Sequence, residues 1–280
     1  MQVDVARPLI YRAFCDAAIC RDKAPDMQAT LTIQPIVDFP IVHARDDLAQ
    51  IISDALCGTN LSLQDGDVVV VAQKIVSLSE GRLLRLDDVE VSTAAAELAA
   101  ETDKDPRLVE LILQESSEVI RKKPGVIIVR HRLGLVGANA GVDQSNIDHS
   151  DGECALLLPE DPDRSAMKLR EALAEATGKR LGVVVSDSMN RPWRLGSVGT
   201  AIGSAGITVL DDCRGRKDLY GRELKVTIAN RADAIAAATV LVMGETAERV
   251  PVAIVRGLAT EDSGQVAQDC IRPAAEDLFL

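Results

Sequence analysis

The sequence predicts an α+β protein of mixed sheets with hairpins, and three observations carry that expectation. Apolar runs of strand length are interleaved with helical patterns along most of the chain. Two such runs, GVIIVR (125–130) and LGLVGAN (133–139), lie close enough to pair as a hairpin. Hairpins mixed into a strand–helix alternation fit mixed sheets better than a doubly wound parallel one.

Residues 1–28 show no period and read as an N-terminal extension; residues 29–280 read as the folded unit, with any subdomain boundary left open. LTIQPIV (31–37) reads as the first strand. Asp46 is the expected cap of a helix whose apolar positions Leu48, Ile51, Ile52, Ala55 and Leu56 recur at helical spacing. The turn Asp65-Gly66-Asp67 launches a buried strand, VVVVA (68–72). Helices follow over Thr93–Glu101 and from Pro106 to about Val119, the second with Asp105 as cap and Pro106 in its first turn. After the hairpin come a strand at CALLLP, a helix over Ser165–Thr177 closed by Gly178, and strands LGVVVS (181–186) and ELKVTIA (223–229). Helix Ala232–Met243 and strand VPVAIVR (250–256) complete the pattern.

The chain has 43 acidic and 31 basic side chains among 280 residues, a formal charge of −12. With only 2% aromatic residues it lacks the stacking platforms and the positive field of a nucleic-acid binder. No apolar run approaches the length of a membrane span, and the N-terminus lacks a clean signal-peptide core, so a cytoplasmic protein is expected. Six scattered cysteines without a CxxC pair read as reduced thiols. Three dispersed histidines suggest no zinc site, so any metal here is a hard cation held by carboxylates.

There is neither a P-loop nor a GxGxxG after a strand. The glycine-spaced run Gly199 to Gly206 is open to two readings, tight helix packing or backbone approach to phosphate. Three polar segments follow apolar elements: Asn139 to Asn146, Ser186 to Arg194, and Met243-Gly244-Glu245-Thr246. In them Asp143, Asp187 and Glu245 offer a carboxylate shell for Mg²⁺ or Mn²⁺, with Ser188 and Asn146 as neutral oxygen donors. Arg191 and Arg194 suit an anionic acceptor or a polyphosphate. The competing reading is ordinary capping and turn chemistry. Trp193 is open between ring stacking and packing, and His131 reads as structural. Tyr220-Gly221-Arg222 reads as a turn beside Arg214, Arg216 and Lys217, a second candidate anion contact; Glu115–Glu118 reads as a solvated helix face.

The segments GANAGVDQSN, SDSMNRPWR, AIGSAGI, DCRGRKDLYGRELKVT, ADAIAAA and VPVAIVRGL, in order over about residues 33–258, resemble the coenzyme F420-0:L-glutamate ligase (gamma-glutamyl ligase) family. The resemblance implies an α+β homodimer that uses GTP, two Mg²⁺ or Mn²⁺ ions per site and K⁺. Such an enzyme joins L-glutamate by an amide bond to a carboxylate of the anionic acceptor coenzyme F420-0. It implies metal-ligand roles for Asp143, Asp187, Ser188 and Glu245, the last two residues being tied to a second ion and the nucleotide. It implies nucleotide contacts at Phe39, Pro40, Ile41, Val42, Gln73, Lys74, Asn146, Met243 and Gly244. One departure stands out. Where the family reads Val-Ser-Lys-Ala-Glu-Gly-Arg, with its lysine on GTP phosphate, this chain has Leu78, and Lys74 one turn earlier is the alternative partner.

Three functional readings follow. The leading one is GTP-dependent glutamyl ligation through an acyl phosphate, for which no residue beyond the metal site is a candidate catalyst. Another is glutamyl ligation onto a different acceptor, such as a folate. The third, from another class, is a non-catalytic nucleotide- or metal-binding protein.

Overall fold

The computed structural model describes residues 30–277 apart from Asn60, Arg191, 259 and 260; the expected extension over 1–28 lies outside them. The elements are β1 (Thr32–Pro35), α1 (Leu48–Cys57), β2 (Val68–Ala72), α2 (Gln73–Ser79), β3 (Leu83–Arg85), α3 (Thr93–Thr102), α4 (Pro106–Gln114), β4 (Ser116–Lys123) and β5 (Val126–His131). Then follow β6 (Val136–Ala138), β7 (Cys154–Leu156), α5 (Pro162–Thr177), β8 (Gly182–Asn190), β9 (Ser197–Ala205), β10 (Leu210–Asp212), β11 (Ile228–Asn230), α6 (Arg231–Met243) and β12 (Val252–Arg256). This is the α+β architecture expected from the sequence.

The main sheet has the strand order β1-β12-β2-β8-β9. Its β2 and β8 are parallel neighbours and its other pairs are antiparallel. Smaller sheets pair β4-β5-β6, β3-β7 and β10-β11. The unbroken valine run of β2 is explained by burial on both faces. Val69 and Val71 pack with Ile52 of α1 and with Leu169 and Leu173 of α5; Val68 and Val70 pack with Ala232, Ile235 and Ala236 of α6. All four valines are wholly buried, each contributing roughly 1.5–3 kcal/mol of apolar burial. A third cluster joins Leu98 of α3, Val109 and Ile112 of α4, and Ile127 and Val129 of β5.

Gly199 and Gly203 belong to a strand, β9, which the sequence pattern left unassigned. A methyl group on Gly199 would sit 2.3 Å from the Ala236 carbonyl oxygen of α6, and one on Gly203 2.2 Å from the Pro162 carbonyl oxygen of α5. Both glycines therefore serve close helix packing, the first of the two readings.

The hairpin β5–β6, the strand β2 and the Gly178 cap (φ +67°) fall where the sequence placed them. Four expectations need correction. The cap of α1 is Asp47, which accepts the Gln50 N–H, while Asp46 closes the preceding turn on the His43 N–H. Helix α5 starts three residues early at Pro162, because Asp161 caps it by accepting the Arg164 N–H. Helix α4 stops at Gln114, since Ser116–Lys123 pairs antiparallel with β5 through two register shifts. Of ELKVTIA only Ile228 and Ala229 join a strand, pairing with β10; Val226 is 86% exposed and has no sheet face to cover it. Among the described residues no helix is long and apolar enough to cross a membrane.

Candidate functional site

Parallel pairing places the ends of β2 and β8 side by side, with Ala72 opposite Ser186. The chain leaves β2 directly into α2, putting Gln73 and Lys74 at that edge, while β8 continues through Asp187 and Ser188. The edge beyond the carboxyl ends of parallel strands is a common ligand position. Two further segments close on it. After β6 a tight turn with Asn139 and Ala140 both at φ +54° delivers Asp143, whose backbone pairs with Leu156. A left-handed alanine is a sparsely populated conformation that persists only where surrounding structure enforces it. At the far side α6 ends on Gly244 (φ +75°), where a Cβ would lie 2.3 Å from the Glu248 side chain, and Glu245 follows.

Lys74 Nζ donates to the Asp143 carboxylate, to the Ser145 carbonyl at 3.1 Å and to the Ser145 hydroxyl at 3.2 Å. Burial by itself would push the Asp143 carboxyl up; the Lys74 ammonium and the Ser145 donors outweigh it and hold the group below its ordinary range. Burial pushes the Asp187 carboxyl up to about 6, and the negative charges of Asp143 and Glu245 add to the effect against the Ser188 N–H and Lys74. The Ser188 hydroxyl donates to Glu245 Oε1 at 2.7 Å. Asn146 Nδ2 donates to the Thr246 carbonyl at 3.0 Å, tying the two loops together.

The donor groups are all oxygens, carboxylate or hydroxyl, which is the chemistry of a hard cation. Asp187, raised by burial and by the neighbouring negative charges of Asp143 and Glu245, is the kind of carboxylate such a cation would relieve. Among the described residues no three His, Cys, Asp or Glu side chains are grouped closely enough to form one metal cluster. Asp187 faces the cleft lined by His131, Gly141, Leu158 and Met189, whereas Ser188 faces Glu245. Ser188 is bonded to Glu245, and Asp187 lies within the electrostatic influence of both Asp143 and Glu245.

The remaining candidates divide between core and surface. Phe39 and Val42 are buried core residues, while Pro40 and Ile41 are exposed; Arg249, just past Glu245, donates to the Phe39 carbonyl and brings this loop beside the site. Gln73 is buried and accepts from Ser77 within α2, and Met243 is buried against the sheet. Leu78, one turn after Lys74, is half-buried against the main core. Arg194 is exposed, and Trp193 is 83% exposed and so lies outside the core; Arg191 falls outside the described residues. Asp218 and Gly221 close the expected turn around Tyr220. Arg214 and Arg216 are bonded to Asp212 and Asp211, so local ion pairs take up the two guanidinium groups read as anion contacts.

Three contributors were missed from sequence. Ser145 and Thr246 hold the site loops, and no motif distinguishes them from other turn hydroxyls. Glu115 is the third. It is 5% exposed rather than on a solvated face and accepts from Arg82 at 3.0 Å and Arg132 at 2.5 Å, with His131 Nε2 3.3 Å away. Its burial would raise its pKa, but His131 and the two guanidinium groups outweigh this and lower it. Arg82 also donates to the Leu158 carbonyl at 2.9 Å, so the cluster joins the end of α2 to β5 and the chain after β7 behind the cleft. His131, read from sequence as structural, is buried, and its Nδ1 accepts the Leu133 N–H.

Residues 36–257 match the family described as F420-0:gamma-glutamyl ligase. The chain is 44% identical over 254 residues to a protein of Methanopyrus kandleri named coenzyme F420:L-glutamate ligase, covering 89% of this chain and 98% of that one. A protein of the same name from Methanothermobacter thermautotrophicus is 46% identical over 245 residues, covering 86% and 95% of the two chains. The Archaeoglobus fulgidus protein of that name is 42% identical over 246 residues, covering 88% and 94%.

Proposed function

The chain belongs to the F420-0:gamma-glutamyl ligase family, and on that premise we propose that it joins L-glutamate by an amide bond to a carboxylate of coenzyme F420-0 at the expense of GTP. The observation that carries the reading is the meeting of Lys74, Asp143, Asp187, Ser188 and Glu245 at the shared edge of β2 and β8. In the proposed reaction an oxygen of the acceptor carboxylate attacks the γ-phosphorus of GTP. The bond to the β-phosphate oxygen breaks, giving an acyl phosphate and GDP. The α-amine of glutamate then attacks the acyl carbon, inorganic phosphate leaves with the bonding pair, and the amine loses a proton. Phosphoryl transfer of this kind needs positioning and charge neutralisation more than a covalent nucleophile.

Asp143 with Asp187 would hold one Mg²⁺ or Mn²⁺ ion, and Ser188 with Glu245 a second. Bound there, the ions supply neutralisation of charge on the phosphate oxygens. Lys74 is positioned to contact the same phosphates, Asn146 ties the Asp143 loop to the Thr246 loop, and the turn at Phe39–Val42 borders the nucleotide. K⁺ belongs to the same reading, with no residue assigned to it. Arg194 remains a candidate for the anionic acceptor.

A homodimer belongs to the same reading, and Trp193, Leu195, Leu219, Tyr220, Val226 and Leu241 are exposed apolar side chains available to an interface. A cytoplasmic location without membrane partners belongs to the same reading, and the net charge of −12 supports the exclusion of nucleic acid.

Purified protein incubated with GTP, L-glutamate and coenzyme F420-0 tests this reading. GDP release is expected only when both co-substrates are present, with the acceptor gaining one glutamyl mass. Transfer of ¹⁸O from the labelled acceptor carboxylate to phosphate tests the acyl phosphate. Turnover with a folate and none with F420-0 would instead favour the other ligase reading.

A further inference from the structure

Asp143 already faces a cation supplied by the chain itself. The Lys74 ammonium bonds to three oxygens of one loop, the Asp143 carboxylate and the carbonyl and hydroxyl of Ser145. An ammonium has three N–H donors, and this loop can take all of them. A carboxylate, a carbonyl and a hydroxyl are equally the donor types that hold a hard divalent ion. The loop is stiffened around that position, because Asp143 Oδ1 accepts the Ser145 N–H at 2.7 Å and Oδ2 the Ser145 hydroxyl at 3.0 Å. Lys74, by contrast, can move. Its side chain is 27% exposed, and its flexible four-carbon stem springs from the first turn of α2.

We propose that Lys74 is a built-in counter-ion: in the free protein its ammonium fills the cation position on the Asp143–Ser145 loop, and it yields that position to a divalent cation when nucleotide phosphate offers it another partner. The inference rests on the reading above that Asp143 holds such a cation. No bond is made or broken covalently; one cation replaces another at the same oxygens. A metal arriving alone must displace the ammonium and binds weakly. Phosphate draws the ammonium away, so nucleotide and metal strengthen each other's binding by the same factor, as linkage requires.

Mn²⁺ titration without nucleotide, read by the electron-spin signal of the free ion, on wild type, Lys74→Met and Asp143→Asn tests this. Lys74→Met is expected to bind Mn²⁺ at least tenfold more tightly than wild type, and adding Asp143→Asn should abolish the gain. The GTP-dependent tightening of Mn²⁺ seen in wild type should shrink in Lys74→Met. A second measurement needs no variant. Acylation of lysines, mapped by peptide mass, should rise several-fold at Lys74 when Mn²⁺ is added, while the exposed Lys168 stays constant. Unchanged or weaker Mn²⁺ affinity in Lys74→Met, or unchanged Lys74 labelling, overturns the counter-ion role. If wild type still shows GTP-dependent Mn²⁺ binding lost in Asp143→Asn, the proposed function survives that failure. Absence of Mn²⁺ binding in every variant, with and without GTP, overturns both.

Discussion

Asp187 and Ser188 are consecutive residues of β8, yet they serve opposite sides of the sheet edge. Asp187 borders the cleft that contains His131 and Met189, and the Ser188 hydroxyl donates to Glu245 beyond α6. Side chains alternate across a strand. One strand end therefore supplies two neighbouring positions, each completed by a different loop.

Asp187 is expected to lower the stability of the free protein as pH rises from 3.8 to about 6. Its folded pKa of about 6 lies above the ordinary 3.8, so the stability linked to the neutral acid is present in acid and lost as pH rises through 6. Asp187→Asn should raise the melting temperature by a few degrees at pH 8 in chelator, on the order of 1–3 kcal/mol. The gain should be roughly halved at pH 5 and vanish only below 3.8, where both folded and unfolded states are protonated. Thermal melts at the two pH values check this, and Mn²⁺ affinity of wild type should fall below pH 6.

Glu245 is exposed, so Glu245→Gln should change stability by no more than about 0.5 kcal/mol. In the presence of GTP it should remove one of two Mn²⁺ equivalents, which equilibrium dialysis counts. Retention of both ions would show that Ser188 and Glu245 do not hold one.

Leu78 follows Lys74 by one helical turn on the same helix face and is half-buried against the core. Leu78→Lys should tighten GTP, since a charge-assisted hydrogen bond is worth about 1.5–3 kcal/mol, or roughly ten- to a hundredfold. The lysine stem keeps part of the apolar contact. Titration calorimetry on wild type and variant measures the difference; equal affinities would separate this position from the phosphate.

Glu115→Ala should destabilise the protein by about 1–3 kcal/mol, because it removes the buried carboxylate that Arg82, Arg132 and His131 share, while Arg82 keeps its pairing with Glu160. Urea midpoints at neutral pH read the loss. The Glu115 pKa is lowered in the folded state, so its stabilisation is present above the ordinary carboxylate range and lost as pH falls through the folded value. The gap between wild type and variant should therefore narrow in strong acid.

The sequence by itself determined the parts whose cause is local. The VVVVA run after the Asp65-Gly66-Asp67 turn marked a buried strand, Asp105 and Pro106 start α4, and Gly178 ends α5, because periodicity, caps and left-handed turns act over a few residues. It also marked the polar segments bearing Asp143, Asp187 and Glu245, since each follows an apolar run directly. What only the tertiary structure decided is how those segments meet, and that Asp187 stands within a strand, β8, lengthened by its pairing with β9. The parallel pairing of β2 with β8 puts Lys74 beside Asp187, and the turn after β6 brings Asp143 onto Lys74. The same long-range packing turned Glu115 from a presumed surface residue into a buried anion and made Ser116–Lys123 a strand once β5 lay alongside. Charge and polarity are written along the chain, but whether a carboxylate faces water, a guanidinium or another carboxylate depends on residues far away in sequence.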